Sequence, residues 1–114
     1  FIHKWPRAIK PFYMKVDPSN PEYVLNDDLI ATEGAGEIIG GSQREENAEL
    51  LSELIKKEGL SEEDFNWYLD IRRFGGVPHS GFGIGLERMV RWVSGVEHIR
   101  ECTAFPRLVN RIKP

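Results

Sequence analysis

The feature that most constrains the fold is a run of three glycines at every second position, which leads directly into an amphipathic segment. Gly81, Gly83 and Gly85 stand in the stretch SGFGIGLERMVRW, residues 80–92. Because successive side chains of a strand point to opposite faces, this spacing predicts that the three bare Cα atoms share one face. Glycine weakens a strand unless something must approach the backbone, so we expect this face to admit a planar ligand.

The segment after the glycines has the pattern of a helix that ends near Ser94. Its apolar residues recur every three or four positions, at Leu86, Met89, Val90 and Val93. Arg88 falls in the first turn, where the helix dipole is positive and backbone N–H groups are free, and a guanidinium there suits a phosphate group. The alternative is a bulge or a tight packing contact, with Glu87 and Arg88 as a surface pair.

The rest of the chain predicts short strands alternating with local helices. Residues 12–16, 29–31 and 34–45 are typical of strands. A helix over 47–57 would end at Gly59, and a second helix, capped by Ser61, would end near Gly75. We therefore predict an α+β fold in which an antiparallel β-sheet is flanked by helices. Core residues are expected at the apolar stripes and at the tryptophans, Trp5, Trp67 and Trp92.

A second candidate site is the strand EIIGGSQR, residues 37–44. In a regular strand one face carries Glu37, Ile39, Gly41 and Gln43, and the other carries Ile38, Gly40, Ser42 and Arg44. Glu37 is suited to hold a divalent cation through oxygen, and Arg44 to clamp a carbonyl or carboxylate. A half-solvated edge strand is the more common alternative. His79 is a third candidate, although a lone loop histidine is more often structural or exposed.

Composition excludes several classes of function. The net charge of −3 argues against binding of nucleic acid or anionic membrane by bulk charge alone. No apolar run approaches the ~20 residues of a membrane span, and no signal-peptide pattern opens the chain. The single cysteine, Cys102, fits a reducing compartment, so we predict a cytoplasmic protein. Because the chain opens on a strand-like run without an initiator methionine, we interpret it as part of something longer.

Together these segments resemble the C-terminal half of the catalytic domain of class II aminoacyl-tRNA synthetases. The third signature motif of that class combines a small-residue strand with Gly-hydrophobic-Glu/Asp-Arg at a helix start, which here is GFGIGLER, residues 81–88. The aspartate/asparagine/lysine branch is indicated by PFYMK, GEIIGGSQRE, YLDIRRFGGVPHSGFGIGLER, FPR and NRIKP. Within that branch the chain is most similar to asparagine enzymes of archaeal or eukaryotic type. The resemblance covers residues 1–114, with the motif at 81–94.

The resemblance implies a reaction and its partners. Asparagine and ATP would form asparaginyl-adenylate, and asparagine would then pass to tRNA-Asn, with Mg²⁺ bridging the phosphates of ATP. The family builds its homodimer, its second signature motif and its anticodon-binding domain from regions upstream of the part that this chain resembles. The chain alone is therefore expected to be inactive, with unpaired sheet edges that favour association.

The resemblance also implies roles for individual residues. Arg88 would hold the γ-phosphate of ATP, and Glu37 would bind Mg²⁺; these are the implied catalytic residues. The implied nucleotide site comprises Glu37, Gly83, Gly85, Leu86, Glu87 and Arg88, with the glycines as the adenine floor. The implied amino-acid site comprises Arg44, Gly40 and His79, with Arg44 on the side-chain oxygen of the substrate.

Two departures favour asparagine over aspartate as the substrate. The aspartate enzymes typically carry serine at the position of Gly40, and aspartate at the position of Leu108. Gly40 also offers no side-chain ligand to a metal. Three alternatives stay open: an aspartyl-tRNA synthetase, a synthetase-like ligase that makes asparagine without tRNA, and a non-catalytic nucleotide-binding fragment. The presence of Glu37, Arg44 and Arg88 argues against the last of these.

Overall fold

A four-stranded antiparallel sheet organises the computed structural model, which describes residues 1–113. The strands are β1 (Ile2–His3), β2 (Asn26–Ala31), β3 (Gly36–Gln43) and β4 (Ser80–Ile84), in that order across the sheet. Helices α1 (Ala48–Lys57) and α2 (Asn66–Arg73) connect β3 to β4, and α3 (Leu86–Ser94) follows β4. The predicted α+β class, with an antiparallel sheet and flanking helices, is confirmed. None of the helices within the described range is long and apolar enough to cross a bilayer.

Helix α1 forms where its sequence signals stand. The Asn47 side chain accepts a hydrogen bond from Leu50 N at 2.8 Å and caps the first turn. Gly59 follows the helix with φ of +73°, a conformation that glycine adopts without strain. One face of the helix supplies Leu51 and Ile55 to the core, and both are fully buried. The helix predicted over 47–57 is therefore confirmed.

Helix α2 differs from its prediction at the start and on its exposed side. A short 3₁₀ turn (Glu63–Phe65) precedes the helix, which begins at Asn66 without a side-chain cap, so the prediction of a Ser61 cap is wrong. Leu69 completes the fully buried core. Trp67 precedes Leu69 by two positions, which places it on the other side of the helix, and it is 64% exposed.

The other tryptophans also contribute less to the core than predicted. Trp92 is exposed, and Trp5 is half-buried. The apolar stripe of α3 is likewise open: Leu86 is 68% exposed and Val93 is 77% exposed, and no residue of that helix is buried. The bounds of α3 nevertheless match the prediction, because Gly95 ends the helix in the left-handed conformation with φ of +69°.

The stretch at residues 12–16 is a turn rather than the predicted strand. Only single bridges join it to the sheet, from Met14 to Arg44 and from Val16 to Val24. Its two aromatic rings, those of Phe12 and Tyr13, pack instead against the core between α1 and α2. This turn therefore places an aromatic surface beside the end of β3.

A β-bulge in β3 sets the orientation of the residues at its start. Asp28 pairs with Gly40 and Leu29 with Ile39, but the next residue, Ile30, pairs with Glu37. Ile38 is therefore the extra residue on β3. A bulge shifts the alternation of side chains along a strand, so a face assignment that assumes a regular strand fails upstream of Ile38.

Candidate active site

The glycine face is formed by two neighbouring strands. In the pairing of β3 with β4, Gly40 lies opposite Gly83 and Ser42 lies opposite Gly81, so four small residues form one patch. A Cβ atom built on Gly83 would have no atom within 4 Å, which leaves the backbone open to a ligand. The predicted common face is confirmed for the two glycines that lie within β4.

Gly85 lies outside this patch. The strand ends at Ile84, and Gly85 is the N-cap residue of α3. A Cβ atom on Gly85 would lie 3.3 Å from Cδ of Arg88. The absent side chain thus makes room for the methylene groups of Arg88, while the shared face expected for Gly85 stays a prediction.

Two carboxylates meet at the Gly40 end of the patch. A Cβ atom built on Gly40 would lie 2.8 Å from Oε1 of Glu37 and 3.5 Å from Oδ1 of Asp28. Glu37 therefore lies on the side of Gly40 rather than with Ile39, which corrects the face predicted for a regular strand. The cause is the bulge at Ile38.

Asp28 is the residue that sequence reasoning missed. It is buried, and its Oδ2 accepts a hydrogen bond from Lys10 Nζ at 2.6 Å. The predicted strand began at Leu29, which left Asp28 in a loop, whereas β2 begins at Asn26. Only the register of β2 against β3 brings Asp28 to Gly40, and that long-range pairing has no local signal in the sequence.

Arg88 joins the same end of the site from α3. Its Nη1 donates to the main-chain oxygen of Glu37 at 2.5 Å, and the other N–H groups of its guanidinium make no hydrogen bond within residues 1–113. Leu86 and Glu87 share the first turn of α3 and are exposed. Within residues 1–113 Glu87 forms no ion pair. Arg88 is poorly placed to be its partner, because adjacent residues on a helix do not face each other.

A cavity of about 490 Å³ opens beside Glu37 and Arg88. Its wall also includes Arg91, whose Nη1 donates to Gly34 O at 3.2 Å and thereby attaches the β2–β3 turn to α3. This end of the site therefore combines two carboxylates on the sheet with guanidinium groups from one helix. Such an arrangement can bind a polyphosphate together with a divalent cation.

Arg44 lies at the opposite end of the patch. It follows Gly40 by four positions, a distance of about 13 Å along an extended strand. Its guanidinium donates from Nη1 to Ser42 Oγ and from Nη2 to Gly81 O, the latter at 3.2 Å. The structure thus places Gly40 with the carboxylates, while Arg44 has Ser42 and Gly81 as its neighbours.

His79 supports the Arg44 end through its main chain. Its carbonyl oxygen accepts from Arg44 N at 2.9 Å, and its own Nδ1 lies 2.8 Å from Val77 O. Nearby, a hydrogen bond from Lys15 lowers the pKa of Glu46, and the charge of His79 lowers that pKa by a smaller amount. Charged groups therefore surround the end of β3 beyond the glycine patch.

Comparison with known proteins assigns the chain to a family. The model of the class II tRNA synthetases (D, K and N) matches residues 1–109. The asparagine–tRNA ligase of Thermus thermophilus is 59% identical over all 114 residues of the chain, which correspond to 26% of that protein. The chain therefore spans about a quarter of the length of the curated relatives it matches.

Solved structures give the same result. Pyrococcus horikoshii asparaginyl-tRNA synthetase, complexed with asparaginyl-adenylate, is 53% identical with a TM-score of 0.94, over 98% of this chain and 26% of that one. The aspartyl-tRNA synthetase of Entamoeba histolytica is 37% identical with a TM-score of 0.87, over 98% of this chain and 23% of that one. The fold is thus shared across the two substrate types.

Proposed function

Because the chain belongs to the class II tRNA synthetases of the aspartate, lysine and asparagine group, we propose that it forms part of a longer asparagine–tRNA ligase. The reaction joins asparagine and ATP as asparaginyl-adenylate and then transfers asparagine to tRNA-Asn. The observation that carries the proposal is the glycine patch with two carboxylates and Arg88 at one end and Arg44 at the other. An asparaginyl-adenylate joins an amino-acid half to a nucleotide half of different charge. Its site therefore needs different charged groups at its two ends.

Asparagine is the proposed substrate rather than aspartate for two reasons. The relatives at 59% and 53% identity are named for asparagine, whereas the aspartyl-tRNA synthetase of Entamoeba histolytica is 37% identical. Gly40 and Leu108 also depart from the pattern typical of aspartate enzymes. The family group includes both substrates, so the experiment below tests both.

The residues at the phosphate end fit a magnesium ion. Glu37 and Asp28 each offer a carboxylate oxygen beside the space that a Gly40 side chain would fill. Mg²⁺ is usually held by one or two carboxylates together with substrate phosphates, so this pair matches its preference. When bound, the ion would neutralise phosphate charge during attack on the α-phosphorus.

The protein's own groups bind and orient the two substrates. The free N–H groups of Arg88 donate to the terminal phosphate of ATP, while its bond to Glu37 O fixes the height of the guanidinium above the sheet. The bare backbone at Gly83 admits the nucleotide. Positioning and charge neutralisation then account for catalysis, without a covalent enzyme intermediate.

At the other end, Arg44 donates to the side-chain oxygen of asparagine. This contact turns the substrate so that its carboxylate faces the α-phosphorus, from which pyrophosphate departs. The proposed cytoplasmic location rests on the single cysteine, whereas the proposed homodimer and tRNA contacts of the longer enzyme rest on the family resemblance.

The test is amino-acid-dependent ATP–pyrophosphate exchange by the full-length enzyme, with asparagine and aspartate measured in parallel. Arg88→Ala is expected to abolish exchange. The matched control Arg73→Ala removes an α2 guanidinium that pairs with Glu62 and Asp70, and it is expected to retain exchange. Exchange with asparagine alone supports the proposal. Exchange with aspartate alone overturns the substrate assignment, and exchange with neither supports a non-catalytic nucleotide-binding role.

A further inference from the structure

The guanidinium of Arg44 lies in a slot formed by three residues. Besides its bonds to Ser42 Oγ and Gly81 O, its Cζ lies 4.9 Å from the centre of the Tyr13 ring. A Cβ atom on Gly81 would lie 3.4 Å from Nη2, so a side chain there would crowd the guanidinium. The aromatic ring, the hydroxyl and the bare glycine together restrict Arg44 to one orientation.

The Tyr13 ring is itself held in place by the core. It contacts Phe12 edge to face, with ring centres 5.6 Å apart, and packs against the buried cluster of Leu51, Ile55 and Leu69. The main chain is fixed as well, since Tyr13 O accepts from Glu45 N at 2.9 Å. The ring therefore presents a preorganised aromatic surface beside Arg44.

We propose that Tyr13 is a positioning residue for the amino-acid end of the site, acting through Arg44; this rests on the function proposed above. Two of the five guanidinium N–H groups are used by Ser42 and Gly81, which leaves three for the substrate. The ring attracts the cation electrostatically and fixes the plane in which those groups point. A guanidinium fixed before binding loses less conformational entropy when the substrate arrives.

The chemistry of the contact assigns this role to the ring and not to the hydroxyl. Within residues 1–113 the Tyr13 hydroxyl makes no hydrogen bond, whereas the ring faces Arg44. Tyr13→Phe therefore preserves the contact and Tyr13→Leu removes it. Phe65→Leu is the matched control, because Phe65 packs against the same core and, within residues 1–113, has neither a ring contact with Tyr13 nor a cation–π contact to Arg44.

The experiment measures KM for asparagine and for ATP in pyrophosphate exchange by the full-length enzyme. Tyr13→Leu is expected to raise KM for asparagine on the order of tenfold and to leave KM for ATP within about twofold. Tyr13→Phe is expected to match the wild type. Phe65→Leu is expected to lower Tm without a change in KM for asparagine. Tyr13→Met, which keeps much of the side-chain volume, replaces the leucine variant if that variant does not fold.

Three results overturn the inference. An unchanged KM for asparagine in Tyr13→Leu removes the positioning role, while the proposed function stands if the wild type exchanges with asparagine. An equal rise in Phe65→Leu assigns the effect to core packing. A rise in Tyr13→Phe assigns it to the hydroxyl instead of the ring. A wild type without asparagine-dependent exchange overturns the proposed function, and this inference with it.

Discussion

Arg88 donates a hydrogen bond to the main-chain oxygen of Glu37, at 2.5 Å, and so connects the helix after the glycine strand to the strand that carries the carboxylate. The bond uses the backbone of Glu37, which leaves its carboxylate available to a ligand. Because Glu37 belongs to β3 and Arg88 bonds to its main chain, the placement of these two residues relative to each other does not depend on a flexible loop. Two residues 51 positions apart thereby form one end of the site.

We expect Glu37→Gln to reduce asparagine-dependent exchange by about 10²-fold or more, because a carboxylate ligand of the proposed cation is lost. The thermal midpoint should hardly change, since the side chain is exposed and the main-chain oxygen still accepts from Arg88. Exchange measured over a magnesium series tests this, with Glu53→Gln on the exposed side of α1 as the control. Wild-type activity in the Glu37 variant would remove Glu37 from the metal site.

Gly83→Val is expected to raise KM for ATP with little effect on folding. No atom lies within 4 Å of the added Cβ, so the side chain would occupy the space that the nucleotide needs. Ser80→Val places the same side chain on the same strand, at an odd spacing from Gly83 and hence on the opposite face. Steady-state kinetics and thermal melts distinguish the two variants. Equal KM values for ATP in Gly83→Val and the wild type would mean that the nucleotide binds elsewhere.

Leu69→Ala is expected to destabilise the protein by about 2–5 kcal/mol, because a fully buried side chain would leave a cavity between α1 and α2. Ile71→Ala is the comparison, since Ile71 lies on the same helix and is 53% exposed. Ile71→Ala should lower the free energy of unfolding by much less than Leu69→Ala does. Urea unfolding of the full-length enzyme measures both. A comparable loss at Ile71 would contradict the burial described here.

Acid should destabilise the wild type more steeply than the variant Asp17→Asn. A hydrogen bond from Lys4 Nζ, followed by bonds from Ser19, holds the pKa of the buried Asp17 carboxyl far below its usual range. A lowered folded-state pKa contributes stability above the unfolded value of about 4. That contribution is lost as pH falls below this value toward the folded pKa.

Thermal melts between about pH 3 and pH 7 test this linkage. Asp27→Asn is the matched control: Asp27 is exposed and forms no ion pair or side-chain hydrogen bond within residues 1–113. The midpoints of wild type and Asp17→Asn should converge as pH falls, while the control should follow the wild type. Parallel curves for all three proteins would show that the Lys4–Asp17 pair does not contribute to acid sensitivity.

Local signals predicted those parts of the fold that depend on a few adjacent residues. Helix α1 begins after Asn47 and ends before Gly59 because the cap and the left-handed glycine act within one turn. Ser61 carries the same kind of signal, yet a 3₁₀ turn intervenes and α2 begins at Asn66. Propensity at a single position was there outweighed by packing of the following helix.

The site could be predicted from sequence only as far as its individual residues. Glu37, Arg44 and Arg88 were identified through their residue types and the family motif. The partnership of Glu37 with Asp28 depends on strand register, and its side of the sheet depends on the bulge. Both arise from pairing between distant segments, which no local pattern specifies.

The bulge at Ile38 determines on which face of the sheet the Glu37 side chain lies. If the same residues formed a regular strand, Glu37 would stand an odd number of positions from Gly40 and would leave the patch, although every residue type needed for the site would remain. Loss of the bulge without a deletion would thus convert a charged binding end into an ordinary strand. Protein engineers who transplant this sheet must therefore preserve an irregularity that idealised strand geometry would remove.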